Sequence, residues 1–402
     1  MSEENIQVYG TRWTVLLLFM FPNLVLQILW ISFATVTTDA MAFYNVTDEL
    51  MIYLLSMSFM VVYIPVAFIA SWLIDKYDFK VGAGIGAVLT AIFGFLRIFT
   101  VGSFELVLIF QIFLAIGQPF LLNSVTKLSA NWFPESERTT ATGIALISSF
   151  LGNAIGLFLT PFLALISFQS INIVYGILAL ASGILFIVFA KNKPPTPPSS
   201  EIRTEKVFMV EGLRQLFKNK DFLILFAVFL VGLGVFNTVL TFIEGIVIPR
   251  GYDSTFAGIL GGLMLIGGIV GSFVISVLSD KYQKRKILCI ISLLIASVSL
   301  FVISLASIDA VLLLFGFIFG FGLISAAPVA LEYAVDATSP VPEASSNGML
   351  MMIGQVGGII FILGLEDLQM PVTLDYFPAL ILLTILLAIC FVLAFFLKET
   401  EK

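Results

Sequence analysis

The chain has 402 residues, 59% hydrophobic and only 11% charged, with a formal net charge of −6. Soluble domains carry roughly 25% charged residues, so this composition cannot supply the polar shell of a water-soluble protein. No basic nucleic-acid surface is present, and the absence of His removes His-based acid–base catalysis, most zinc hydrolase sites and imidazole ligation of haem.

The start, MSEENIQVYGTRW, is acidic, and the first apolar run has full spanning length, so a retained helix rather than a cleaved signal is expected. Runs of about 20 apolar residues cross ~30 Å of hydrocarbon. Twelve such runs are predicted, at 13–38, 50–74, 81–99, 103–130, 140–166, 171–191, 221–249, 255–279, 286–305, 309–334, 345–366 and 373–397. Helices are expected, because lipid cannot satisfy open backbone and the runs are too long for barrel strands. Cys289 and Cys390 lie in apolar runs and read as small core residues.

Lys and Arg cluster on one side. Arg12, Lys76, Lys80, Lys127, Arg138, Lys191, Lys193, Lys281, Lys284, Arg285, Lys286 and Lys398 would be inside, and only Arg97 and Arg250 outside. The positive-inside bias predicts a multi-pass protein of the cell membrane with both termini cytoplasmic. The stretch from Lys191 to Asp221 divides the runs into six and six. Three parts are therefore expected: a bundle over 1–191, a cytoplasmic linker over 192–220, and a bundle over 221–402. The linker starts Pro/Ser-rich, and an amphipathic helix over Val207–Asn219 is expected on the inner membrane face.

SWLIDKY at Ser71 and SVLSDKY at Ser276 repeat one pattern, S-x-L-x-D-K-Y, after the second run of each half. The chain thus reads as a duplicated six-helix unit. An acid and nearby bases at such helix ends can lock one half against the other. Candidates for a cytoplasmic gate are Asp75, Lys76 and Lys80, then Asp280, Lys281 and Arg285, with Glu332, Asp336 and Arg138 at neighbouring helix ends; a solvated, topology-fixing loop is the alternative.

The first run places Asn23, Gln27 and Trp30 at i, i+4 and i+7, and the seventh places Asn237, Thr241 and Glu244 at the same spacing. Each set is a polar stripe on an apolar helix, expected to face a shared hydrated cavity, to which Gln118 and Gln355 would add. Interhelical hydrogen bonding is the alternative. Glu244 could bind a cation, couple transport to protons, or pair near the membrane surface with Arg250. Trp30 lies away from the interfaces and could hold an ammonium by cation–π attraction. Small residues in GNAIGLFLTP and GGLMLIGGIVGS suit close helix approach and are expected at the seam between halves. NVT at Asn45 is a sequon on the outer side.

Two six-helix halves with these tags resemble the major facilitator superfamily: an all-α integral membrane fold of twelve transmembrane helices in two pseudo-symmetric bundles. Several stretches are similar to one branch, the feline leukaemia virus subgroup C receptor family. They are RWTVLLLFMFPNLVLQILWISF, GQPFLLNSVTKLSANWFPESERTTATGI, LGNAIG, GVFNTVLTFIEG and LEYAVDATSPVPEASSNGMLMMIGQVGG. Members are described as carriers of haem, choline and ethanolamine. The resemblance implies that Trp30, Gln118 and Gln355 hold a choline-sized cation. The family's Tyr position on the seventh helix falls on Asn237, and its Asn seven residues on falls on Glu244.

The expectation is a secondary active or facilitative transporter working by alternating access on a small organic solute, an amine such as choline or ethanolamine. The alternatives are proton symport and export of another metabolite or haem. A non-transporting receptor is a further class, for which long cytoplasmic tails would be expected. No catalytic group, metal site or cofactor is expected. The partners are the substrate and the bilayer, not nucleic acid, and the chain is expected to be a monomer.

Overall fold

The structure, a computed structural model, describes residues 8–196, 214–282, 284–339, 341, 343–366, 368–370 and 375–398, with side chains for all of these except 135, 136, 139, 280 and 343–345. Contacts divide the chain into two units, Met1–Thr204 and Glu205–Lys402. Residues 197–213, with most of the expected amphipathic helix, lie outside the described residues; residues 214–216 form a single helical turn.

Among the described residues, twelve helices are long and apolar enough to cross a membrane, one for each predicted run. In the first unit they are α1 (Thr11–Ile31), α2 (Glu49–Tyr77), α3 (Phe79–Leu96), α4 (Phe104–Trp132, interrupted at Asn123), α5 (Glu135–Ile166) and α6 (Phe168–Phe189). In the second they are α7 (Lys220–Thr241), α8 (Ser254–Tyr282), α9 (Arg285–Leu305), α10 (Asp309–Thr338), α11 (Glu343–Glu366) and α12 (Phe377–Ala394).

Polar side chains set several helix starts by accepting from otherwise unpaired backbone N–H groups. Asp48 caps α2 through Leu50 N, Ser103 caps α4 through Leu106 N, Ser167 caps α6 through Ser170 N, and Asn219 caps α7 through Asp221 N and Phe222 N. Asp78 is the single residue between α2 and α3. It sits at φ 78° and caps Phe79 N at 2.9 Å.

The two units repeat one packing scheme. In the first, α1 packs on α5 and α6, α2 on α4, and α3 on α4 and α6. In the second, α7 packs on α11 and α12, α8 on α10, and α9 on α10 and α12. Adding six to each helix number converts one set into the other. The repeated tags adopt the same local form: the Lys76 ammonium lies 5.0 Å from the Tyr77 ring centre, and Lys281 lies 5.3 Å from Tyr282.

Glycines set how closely some pairs approach. A Cβ on Gly152 of α5 would lie 2.2 Å from the Leu24 carbonyl oxygen of α1. One on Gly267 of α8 would lie 2.1 Å from the Phe317 carbonyl oxygen of α10. The sequence suggests these small residues at the seam between halves. Gly152 and Gly267 each serve a helix pair within one half, where α1 meets α5 and where α8 meets α10 at backbone distance. Cys289 and Cys390 are buried and free, as small core residues.

Candidate substrate site

Pro22 and Pro119 lie inside α1 and α4, beside Asn23 and Gln118. Proline removes a backbone bond to the carbonyl four residues earlier, so both polar positions lie where the local ladder is incomplete.

The first half splits its candidates into two kinds. Asn23 is fully buried and donates to Ser148 Oγ and Ser149 Oγ of α5, both at 2.8 Å. It joins two helices, and its own carbonyl oxygen has no partner. Trp30 is also tied within the half. Its Nε1 donates to the Ser56 carbonyl of α2 at 3.0 Å, and Ser56 Oγ donates back to the Trp30 carbonyl at 3.4 Å. Gln27 and Gln118 differ: both are buried, yet among the described residues neither side-chain amide has a hydrogen-bond partner.

In the second half the Asn237 amide donates to Gln355 Oε1 at 3.2 Å, so α7 and α11 bring two candidates together. Thr241 Oγ1 is buried without a partner. Glu244 is 1% exposed and accepts from Ser254 Oγ at 3.0 Å. It lies in a short helix, Ile243–Val247, after α7 yields at Phe242, rather than in α7 itself. Arg250 is committed elsewhere, to the Ile303 and Ala306 carbonyls at the end of α9 and to Asp375 at 3.6 Å.

The gate candidates form separate clusters. Arg285 pairs with Glu332 at 3.1 Å and with Asp336, so α9 and α10 are joined within the second half. Arg138, in the first turn of α5, donates to the Phe133 carbonyl just before that helix. Asp75 is exposed, with Lys127 as its electrostatic neighbour. Lys76 stacks over Trp72 and Tyr77. The Asp280 side chain lies outside the described residues.

Two sets of residues have roles the sequence reading does not assign. Asp78 receives the Asn131 amide at 2.6 Å and pairs with Lys193 at 2.5 Å. Asn192 accepts Lys80 N at its side chain and Trp132 Nε1 at its carbonyl. Burial pushes the Asp78 carboxyl up, but the bonds from Lys193, Asn131 and Phe79 N outweigh it and hold the pKa below its ordinary value. The available signal was the second acid in DKYDFK, which DKYQKR lacks. Arg97, at the expected outer end of α3, is 1% exposed. It donates to Leu29 O, Ser32 Oγ and Asn172 Oδ1 at 3.1, 3.0 and 3.5 Å and lies 4.4 Å from the Phe33 ring. Leu29 O also accepts from Gln111, so the end of α1 is held by two side chains. Among the described residues no three His, Cys, Asp or Glu gather as a metal site would need.

The sequence profile of the Major Facilitator Superfamily matches residues 15–362. Solute carrier family 49 member A3 of Xenopus tropicalis is 32% identical over 91% of this chain and 79% of its own length. The choline/ethanolamine transporter FLVCR1 of Felis catus is 28% identical over 91% of this chain and 69% of its own length. In fold, a bacterial homologue of the human lysosomal transporter Spinster superposes with a TM-score of 0.77 at 15% identity, over 98% of this chain and all of that one. The nucleoside transporter NupG gives 0.69 at 17% identity, over 95% and 98%. With its twelve spanning helices, its repeated packing and a profile match over most of its length, the chain belongs to the Major Facilitator Superfamily and is a multi-pass membrane transporter similar to the feline leukaemia virus subgroup C receptor relatives.

Proposed function

We propose that the chain moves a small organic amine of the choline or ethanolamine class across the cytoplasmic membrane by alternating access, with both termini inside. One observation carries the reading: the buried amides of Gln27 and Gln118 have no protein partner among the described residues. Buried polar groups cost free energy unless bonded, so amides left open at substrate-facing positions are groups awaiting water or a ligand. Gln118 is also where the family resemblance places a cation ligand. Trp30 contributes a ring face fixed by its bond to Ser56, suited to an ammonium. Within the first half Gln27, Trp30 and Gln118 are the proposed substrate ligands; within the second half they are Asn237, Thr241, Glu244 and Gln355. Asn23 positions α1 through the α5 serines.

Asn237 refines the choice of amine. Its amide is used on Gln355, leaving its carbonyl oxygen as an acceptor. A primary ammonium brings N–H donors; a quaternary one brings none. Ethanolamine-like substrates are therefore favoured over choline. The test is thermal shift of the purified protein with ethanolamine, choline, haem and small carboxylates, on wild type, Trp30→Ala and Gln118→Ala. Amines should stabilise wild type and neither variant. A larger shift from carboxylates, or amine shifts unchanged in both variants, would defeat the assignment.

Proton coupling is a second reading, favoured by the burial of Glu244 and its bond to Ser254. Uptake should then follow an imposed pH gradient, and Glu244→Gln should lose that response while keeping substrate exchange. The gate role of Asp75, Lys76, Lys80, Asp280, Lys281 and the Arg285–Glu332–Asp336 cluster belongs to the same proposal. Charge reversal at these positions should change the transport rate more than binding.

A further inference from the structure

A groove of about 560 Å³ runs along the outer side of α3 and α6 and opens widely. Its apolar lining includes Val81, Gly84 and Val88 of α3 and Ile187 of α6, and its basic end carries Lys80 and Asn192. Val81, Val88 and Ile187 are about two-fifths exposed, so in a spanning bundle these walls face lipid rather than the half's own core. Gly84 leaves the floor low; a Cβ there would just touch Ile187 at 3.5 Å.

The basic end is not neutralised by the protein. Lys80 uses its backbone N–H on Asn192 Oδ1, and among the described residues neither the Lys80 ammonium nor the Asn192 amide nitrogen has an acceptor. Lys76, Lys80, Lys191 and Lys193 lie near this end in the chain, and the acid beside them, Asp78, is taken by Lys193. The dimensions also discriminate. From Lys80 to Leu89 the lining advances about 14 Å at 1.5 Å per residue, roughly half of a ~30 Å hydrocarbon core. That is one leaflet: a cationic end at the headgroup level and an apolar trough of acyl-chain length beneath it.

We propose that this groove seats one anionic glycerophospholipid, its phosphate on Lys80 and Asn192 and an acyl chain along Val81, Gly84, Val88 and Ile187. The charge at the mouth selects an anionic headgroup, and the trough selects a lipid over a free phosphate or a peptide. The site lies within one half and is independent of the transported substrate.

The test is native mass spectrometry of the intact protein released from mixed vesicles of phosphatidylglycerol and phosphatidylcholine. Wild type should retain one phosphatidylglycerol in preference to phosphatidylcholine by about fivefold, the scale of one basic residue near an anionic lipid. Lys80→Glu should abolish the preference. Gly84→Leu fills the trough and should lose the retained lipid, whereas Gly84→Ala, which only meets Ile187, should keep it. Lys281→Glu, at the equivalent tag of the other half, should leave the retained lipid and its preference as in wild type. Equal retention of both lipids overturns the proposal. So does loss on Lys80→Glu with none on Gly84→Leu, which would mean surface attraction without a seat. A dimer that Gly84→Leu dissociates would place a second copy in the groove and would also overturn it. Unfolding temperatures matching wild type in both variants keep lipid loss separate from misfolding.

Discussion

The two halves repeat a packing scheme but not the wiring that holds it. In both, an Arg near the expected outer surface joins the first and third helices of its half, yet it comes from opposite partners. In the first half Arg97 follows α3 and caps the end of α1; in the second Arg250 follows α7 and caps the end of α9. The difference extends to charge. Arg97 has carbonyl, hydroxyl and amide partners and a ring face, with no carboxylate among its described partners, whereas Arg250 also reaches Asp375. A cation at a helix C-terminus meets the negative end of the helix dipole, so either arrangement satisfies the same requirement. The duplication therefore fixes which helices touch, while the polar contacts are solved separately in each half.

The largest test of this contrast is removal of the two guanidiniums. Arg97→Met strips a buried network of its shared donor and should cost roughly 3 kcal/mol in unfolding experiments, since charged hydrogen bonds contribute about 1.5–3 each. Arg250→Met should cost about half as much, because Asp375 is 23% exposed and can turn to water. Equal losses would mean that the two caps are equivalent after all.

Next comes backbone approach. A Cβ on Gly320 would lie 1.7 Å from the Met264 carbonyl oxygen, so Gly320→Ala should force α8 and α10 apart and lower stability by about 1–3 kcal/mol. Gly84→Ala in the first half should stay within about 0.5 kcal/mol. A smaller contrast concerns substrate choice. Asn237→Tyr adds an aromatic wall and should shift preference from ethanolamine towards choline by about fivefold in competitive uptake, the scale of a ~1 kcal/mol cation–π contact.

The smallest effect belongs to Asp78. Its lowered pKa means that its contribution is complete at neutral pH and is lost only as pH falls below the ordinary 3.8. Asp78→Asn should remove that acid-side loss while costing under about 1 kcal/mol at pH 7, because Lys193 is 60% exposed. A loss of several kcal/mol at pH 7 would make this ion pair a structural anchor instead.

The twelve spans were legible because each is a long apolar run between charges, and run length is what a bilayer selects. The repeat was legible in two tags. Glu332, Asp336 and Arg285 were each legible as charged helix-end residues, but that they pair with one another came from the structure. The fate of Arg97 was not legible. A base at the end of an apolar run looks the same whether it points to water or turns inward, and its partners Leu29, Ser32 and Asn172 are far away in the chain. Asn23 shows the same limit. Its place on a polar stripe was readable, but whether the amide met α5 serines or a cavity depended on rotation about the helix axis. The two halves of that stripe came apart for this reason, with Asn23 bonded and Gln27 left open.

The Arg97 network also dictates an order of events during synthesis. The carbonyl and hydroxyl it needs precede it by 68 and 65 residues, but Asn172 follows by 75. Two of the three acceptors are therefore available before the sixth helix is made, and the third only after it. The Arg97 network is therefore complete only once the sixth helix has been translated.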